Sequence, residues 1–186
     1  MRLKYSIQQP YYILIIMKKS IVLLVVSILF MACQENKRYT QQSPEIDIYK
    51  KSIDAYNKMD WETMAGFYAD SVKIVYNKLE KDAITLPQLI ELNKKDAQDF
   101  TSWGFVDEDA EYEMVVTDKG ETWVNYWGVW KGDFKPTNKT YTIPAHMTAQ
   151  FVNGKIVKEF GYWDNSEFYK DLSAAAVQNT EEAISE

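Results

Sequence analysis

Cysteine occurs once in the 186 residues, at Cys33, and histidine once, at His146. A protein zinc site draws on several such ligands, so no metal is expected. A lone cysteine has no partner within the chain, so the fold is expected to stand without disulfides. The sequence contains no Gly-rich phosphate loop and no local signature of a serine or cysteine nucleophile paired with histidine. No cofactor is expected. Basic residues are also scarce, 21 against 27 acidic. Nucleic-acid binding needs a basic surface, and adhesion to anionic headgroups needs the same, so both are disfavoured. The main apolar run, residues 20–33, falls short of the ~20 residues a spanning helix requires.

That run follows Met17-Lys18-Lys19 and ends at Ala32-Cys33. A basic start, a short apolar stretch and a small residue at a cleavage point make the pattern of a secretory signal. An uncleaved membrane anchor is the alternative. Residues 1–16 read as an upstream extension, with Met17 the more natural start. The segment Leu29-Phe30-Met31-Ala32-Cys33 resembles the lipobox of bacterial lipoproteins. Ala32 and Cys33 fit that pattern, whereas Phe30 and Met31 depart from it. The resemblance implies lipidation of Cys33, membrane attachment through the lipid only, and a place in the bacterial cell envelope on its periplasmic or surface side. A free thiol after a plain signal is the alternative. Residues 1–32 carry four basic and no acidic residues. The chain from Cys33 onward therefore has 17 basic and 27 acidic residues, a net charge near −10.

Four segments are expected: extension and signal over 1–32, a polar tether over 33–43, one domain over 44–172, and a flexible tail over 173–186. Ser43-Pro44-Glu45 has the chemistry of a helix start, with Ile46, Tyr49, Ile53 and Tyr56 at helical spacing behind it. Asp60 can cap a second short helix, and residues 71–76 read as a strand. Thr85-Leu86-Pro87-Gln88 offers a capping box for a third helix, which Trp103-Gly104-Phe105 is expected to end. Strands follow over 111–117 and 121–131. Two more, over 139–152 and 155–164, are joined by Asn153-Gly154, a pair suited to a type I′ turn because both residues tolerate φ > 0. A helical turn over 167–172 closes the domain. Helices first and strands after make an α+β pattern with a largely antiparallel sheet.

The last hairpin sorts side chains between two faces. With Asn153-Gly154 as the loop, Phe151 pairs Ile156, Met147 pairs Phe160, Ala145 pairs Tyr162 and Ile143 pairs Asp164. Tyr141, Ile143, Ala145, Met147, Phe151, Phe160 and Tyr162 then share an apolar face. His146, Thr148, Gln150 and Glu159 share the polar one. A slip of one residue exchanges the faces.

DWETMAGFYADSVKIVY and FVNGKIVKEFGYWD, taken together, resemble the SnoaL-like group of the nuclear-transport-factor-two-like superfamily over Ile46 to about Leu172. The resemblance implies a cone-shaped curved antiparallel sheet wrapped around three N-terminal helices, with a pocket at its open end. It also implies a homodimer formed through the convex side of the sheet. Members include isomerases, dehydratases and cyclases alongside many proteins without assigned activity, so the fold leaves the chemistry open.

An aromatic content of 15% suits a cavity lined by flat apolar groups. Tyr76, Trp103, Phe105, Trp123, Trp127, Met147 and Tyr162 are the candidate walls, and ordinary core packing is the competing role. Asp164, on the apolar face, is the candidate general acid or base, with Tyr162 beside it. It also stands just before Asn165-Ser166, where acids cap helices. His146 and Asn125 are weaker candidates: His146 faces the polar side unless a bulge near Pro144 re-aims it. Lys158 is expected on the apolar face opposite Ala149, as a pocket cation or, in preference, snorkelling to solvent. Three functions fit, the first two being a tethered module binding a small apolar or aromatic molecule and a cofactor-independent isomerase, dehydratase or cyclase using Asp164. A dimeric scaffold with a filled cone is the third.

Overall fold

A computed structural model describes Met17 and residues 38–174. The rest of the 1–32 segment, Cys33 and the tail beyond residue 174 lie outside the described residues. The unit from Arg38 onward contains β1 (Tyr39–Thr40), α1 (Pro44–Asn57), α2 (Trp61–Ala65), β2 (Tyr68–Tyr76), α3 (Leu86–Ala97), β3 (Phe100–Val116), β4 (Thr122–Phe134), β5 (Lys139–Val152) and β6 (Lys155–Trp163). Residues 166–174 form a further helix, α4. One six-stranded sheet runs β1-β3-β4-β5-β6-β2. Every neighbouring pair is antiparallel except β2 and β6, which run parallel. The fold is α+β with a curved, open, mixed sheet. Among the described residues no helix is long and apolar enough to cross a membrane.

The helix starts follow from their caps. Ser43 Oγ accepts from the Ile46 amide at 3.2 Å with Pro44 behind it, and Asp60 Oδ1 accepts from the Thr63 amide at 3.1 Å. The Thr85–Gln88 capping box is present at the start of α3. Each such cap satisfies amides that the helix itself cannot pair. Ile46, Tyr49 and Ile53 of α1 are buried against Val124, Tyr126, Met147, Ala149, Phe151 and Ile156 on the concave face of the sheet. Full burial of one such aliphatic side chain contributes about 1.5–3 kcal/mol.

Three stretches differ from the sequence expectation. Tyr39–Thr40, within the stretch read as tether, pairs with β3 as an edge strand. Trp103-Gly104-Phe105 lies inside β3 rather than ending α3. The Asn57 side-chain amide pairs with both the N–H and the C=O of Phe105, at 2.8 and 2.9 Å, and ties α1 to that strand. Helix α4 is longer than one turn. Phe168 and Leu172 pack on a second core of Phe100, Phe134 and Tyr141. Lys139 Nζ fastens this helix to β5 through Glu167 at 2.6 Å and Asp171 at 2.7 Å.

The hairpin turn is as expected, with Asn153 at φ 50° and Gly154 at φ 73°. Val152 pairs Lys155 and Phe151 pairs Ile156, but Gln150 pairs Lys158. Val157 is an extra residue, a β-bulge, and every later position of β6 changes face. Met147 therefore pairs Gly161, and Ala145 pairs Trp163, in place of the expected Phe160 and Tyr162.

Candidate functional site

The bulge turns Glu159 into the cone. Expected on the polar outer face, it is 1% exposed. Its Oε1 accepts from Tyr49 Oη at 2.5 Å, and its Oε2 from Tyr68 Oη at 2.9 Å and Tyr76 Oη at 2.8 Å. The donors come from α1 and from both ends of β2, so one carboxylate ties three elements together. Burial raises the carboxyl pKa, and the three hydroxyl bonds oppose that rise. Burial, reinforced by the Glu159 charge, lifts Tyr49, Tyr68 and Tyr76 well above the ordinary phenol range. The phenols therefore stay protonated and donate. Tyr76, half-buried and packed against Trp163 at 5.0 Å, is the least enclosed member.

Next to it lies an aromatic cluster. The Tyr56 ring stacks on Trp103 at 4.8 Å, and Trp61 meets Trp103 edge-on at 5.8 Å. Phe105 bridges Tyr56 at 5.6 Å and Tyr126 at 5.4 Å. Trp130 Nε1 donates to Tyr56 Oη at 3.2 Å. Two polar atoms of the cluster, Trp103 Nε1 and Tyr126 Oη, are buried without a hydrogen-bond partner. Glycine makes room for these rings. Gly128, two residues along the same face, lies under the Tyr126 hydroxyl, and Gly132 lies under the Trp130 ring. A methyl group at either position would overlap the aromatic atoms.

Of the expected pocket walls, Tyr76, Trp103, Phe105 and Met147 face the interior. Trp123, Trp127 and Tyr162 do not. On β4 the inward set is Val124, Tyr126, Gly128, Trp130, Gly132 and Phe134, which puts Trp123, Asn125 and Trp127 on the outer face. The phase of β4 is not fixed by sequence, because the loop that joins it to β5 is long. Asn125 Nδ2 donates to Glu113 across the sheet at 3.1 Å. Tyr162 is 50% exposed, displaced outward by the Val157 bulge. Trp123 stacks on Phe160 on that same face, at 6.1 Å.

Asp164 is exposed, and its Oδ1 accepts from the Ser166 amide at 2.9 Å. That bond holds its carboxyl below the usual range, the opposite of the shift a carboxylate on the apolar face would have. It caps the turn into α4, in solvent. His146 stays on the outer side, opposite Tyr162, with its ring on Trp127 at 4.9 Å. No register shift occurs at Pro144. Lys158 lies opposite Gln150 rather than Ala149 and pairs with Glu80 at 2.7 Å. Among the described residues no group of His, Cys, Asp or Glu is placed to hold a metal ion. The Glu159 cluster carried no local signal, since its three tyrosines lie 83 to 110 residues from Glu159 in sequence.

Known structures share this architecture. An NTF2-like protein of unknown function from Burkholderia pseudomallei superposes with a TM-score of 0.55 at 11% identity, covering 69% of this chain and 97% of that one. A candidate SnoaL-like polyketide cyclase from Shewanella denitrificans gives 0.55 at 14% identity, covering 72% and 99%. TerC, co-crystallised with polyporic acid, gives 0.54 at 13% identity, covering 69% and 97%. No protein-family model and no curated protein matches the chain. The chain has the NTF2-like fold, in the form shared with SnoaL-like proteins.

Proposed function

We propose that the domain holds a small, flat, largely apolar molecule at the aromatic end of the cone. The observation that carries this is the pair of buried, unpartnered polar atoms, Trp103 Nε1 and Tyr126 Oη, set among Tyr56, Trp61, Phe105 and Trp130. An unmade buried hydrogen bond costs about 1–3 kcal/mol. A ligand oxygen accepting from either group removes that cost. Indole nitrogen can only donate, so the ligand must present an acceptor. TerC, a protein of the same fold, has been co-crystallised with a small molecule, polyporic acid, which supports a small-molecule ligand.

The same reading places the domain in the bacterial envelope, held by a lipid on Cys33, with residues from 34 onward as its tether. Its support is the pattern of residues 17–33.

The ligand test uses the full chain isolated from its own host. Native mass spectrometry should show a retained small molecule that Tyr126→Phe and Trp103→Phe each weaken, by up to about tenfold, the worth of one net hydrogen bond of about 1.4 kcal/mol. Stripped of ligand, Tyr126→Phe should melt higher than the parent, because it removes an orphaned hydroxyl. A lower melting temperature together with unchanged ligand retention would sink the proposal.

A further inference from the structure

The outer side of the sheet carries a depression of about 380 Å³, lined by Tyr39, Gln41, Glu111, Tyr112, Glu113 and Trp127. It lies where two irregularities meet. Strand β1 stops at Thr40, opposite Met114, so the part of β3 before Met114 is left without an edge partner. Strand β3 also loses register with β4 between Val106 and Glu111 and bulges beside Trp127. The walls are held in place. The Glu113 carboxylate accepts from Asn125 Nδ2 at 3.1 Å. The Trp127 indole is backed by the His146 ring at 4.9 Å, and His146 Nδ1 lies 3.1 Å from the Tyr126 carbonyl. Trp127 is 41% exposed and Tyr39 53% exposed. Among the described residues no ion pair neutralises Glu111 or Glu113.

The geometry points to a second binding site, separate from the cone, for a methylated ammonium ion. Two carboxylates supply the charge. Fixed aromatic faces attract a cation through their quadrupoles, most strongly when the cation is weakly hydrated. Methyl groups spread an ammonium charge over an apolar skin, and such a cation sheds water readily. A bare ammonium is more strongly hydrated, and an anion would meet Glu111 and Glu113. The cation can be a free methylated amine or the choline headgroup of a lipid, since both present the same chemistry.

The test is calorimetric titration of the full chain with tetramethylammonium and choline. Controls are sodium chloride at equal ionic strength and 3,3-dimethylbutan-1-ol, the uncharged isostere of choline. Saturable binding of both cations is expected, with the isostere at least tenfold weaker. Trp127→Leu and Glu113→Gln should each weaken choline at least fivefold, and Glu111→Gln provides a second, conservative variant on the exposed face. Flotation with phosphatidylcholine but not phosphatidylglycerol vesicles, in a Cys33→Ser background, would assign the lipid source; binding in solution alone would assign the free amine. The inference is overturned if the isostere binds as well as choline. It is equally overturned if sodium chloride reproduces the heat, or if neither glutamine variant changes the affinity.

Discussion

Glu159 is the residue on which the interior depends. Replacing it by leucine would leave three buried hydroxyls without an acceptor, each at a cost of about 1–3 kcal/mol. Glu159→Gln keeps an acceptor and removes the titration, so it isolates the charge. Burial raises the folded-state pKa of Glu159 above its value in the unfolded chain. The protonated form is therefore the one favoured by folding. The contribution of this carboxyl is fully present below the unfolded value and declines as pH rises through the folded one. Denaturant unfolding at pH 4 and at pH 7 should accordingly show the parent's advantage over Glu159→Gln shrinking as pH rises. An advantage that grows instead would mean that the carboxylate, rather than the acid, is the stabilised form.

A single inserted residue decides the chemistry of strand β6. The alternation of residues 155–164 is readable from sequence, but two chains of alternation can be joined in either phase. Val157 bulges, and the pattern before it is opposite to the pattern after it. Without the bulge, Phe160 and Tyr162 would enter the cone, and Glu159 and Trp163 would leave it. Deleting Val157 should therefore cost far more than a hydrophobic truncation at that half-buried position. Near-UV circular dichroism of the deletion variant should lose its aromatic fine structure, whereas Val157→Ala should keep it. A deletion variant with native near-UV signal and native stability would refute the assigned register. Sheets use bulges to change which side a residue faces, and nothing in the local composition marks this one.

For the whole molecule, the domain and its address are separate matters. The caps, the turn and the sheet lie within residues 38–174. The proposed anchor predicts that the parent chain sediments with membranes and that Cys33→Ser moves it to the soluble envelope fraction with its thermal unfolding unchanged. Retention of Cys33→Ser in the membrane fraction would favour an uncleaved helix instead. The parent's net charge near −10 beyond residue 32 gives anionic lipid no reason to hold the released domain.

The sequence by itself determined the elements whose causes are local. Ser43, Asp60 and Thr85 place helix starts because a cap needs only its own next three residues. Asn153-Gly154 places the turn because only φ is at stake. The overall class and its resemblance to the SnoaL-like group were legible for the same reason, from stretches of about fifteen residues. Tertiary structure alone decided the site. Which face of β4 points inward depends on its pairing with two neighbours. Which acid enters the cone depends on the bulge at Val157, in a strand paired with both β5 and β2. Asp164 and Glu159 are five residues apart and both acidic, yet one caps a helix in water and the other is enclosed by three tyrosines. The difference is one residue of register, set by contacts between strands rather than by the residues of either strand.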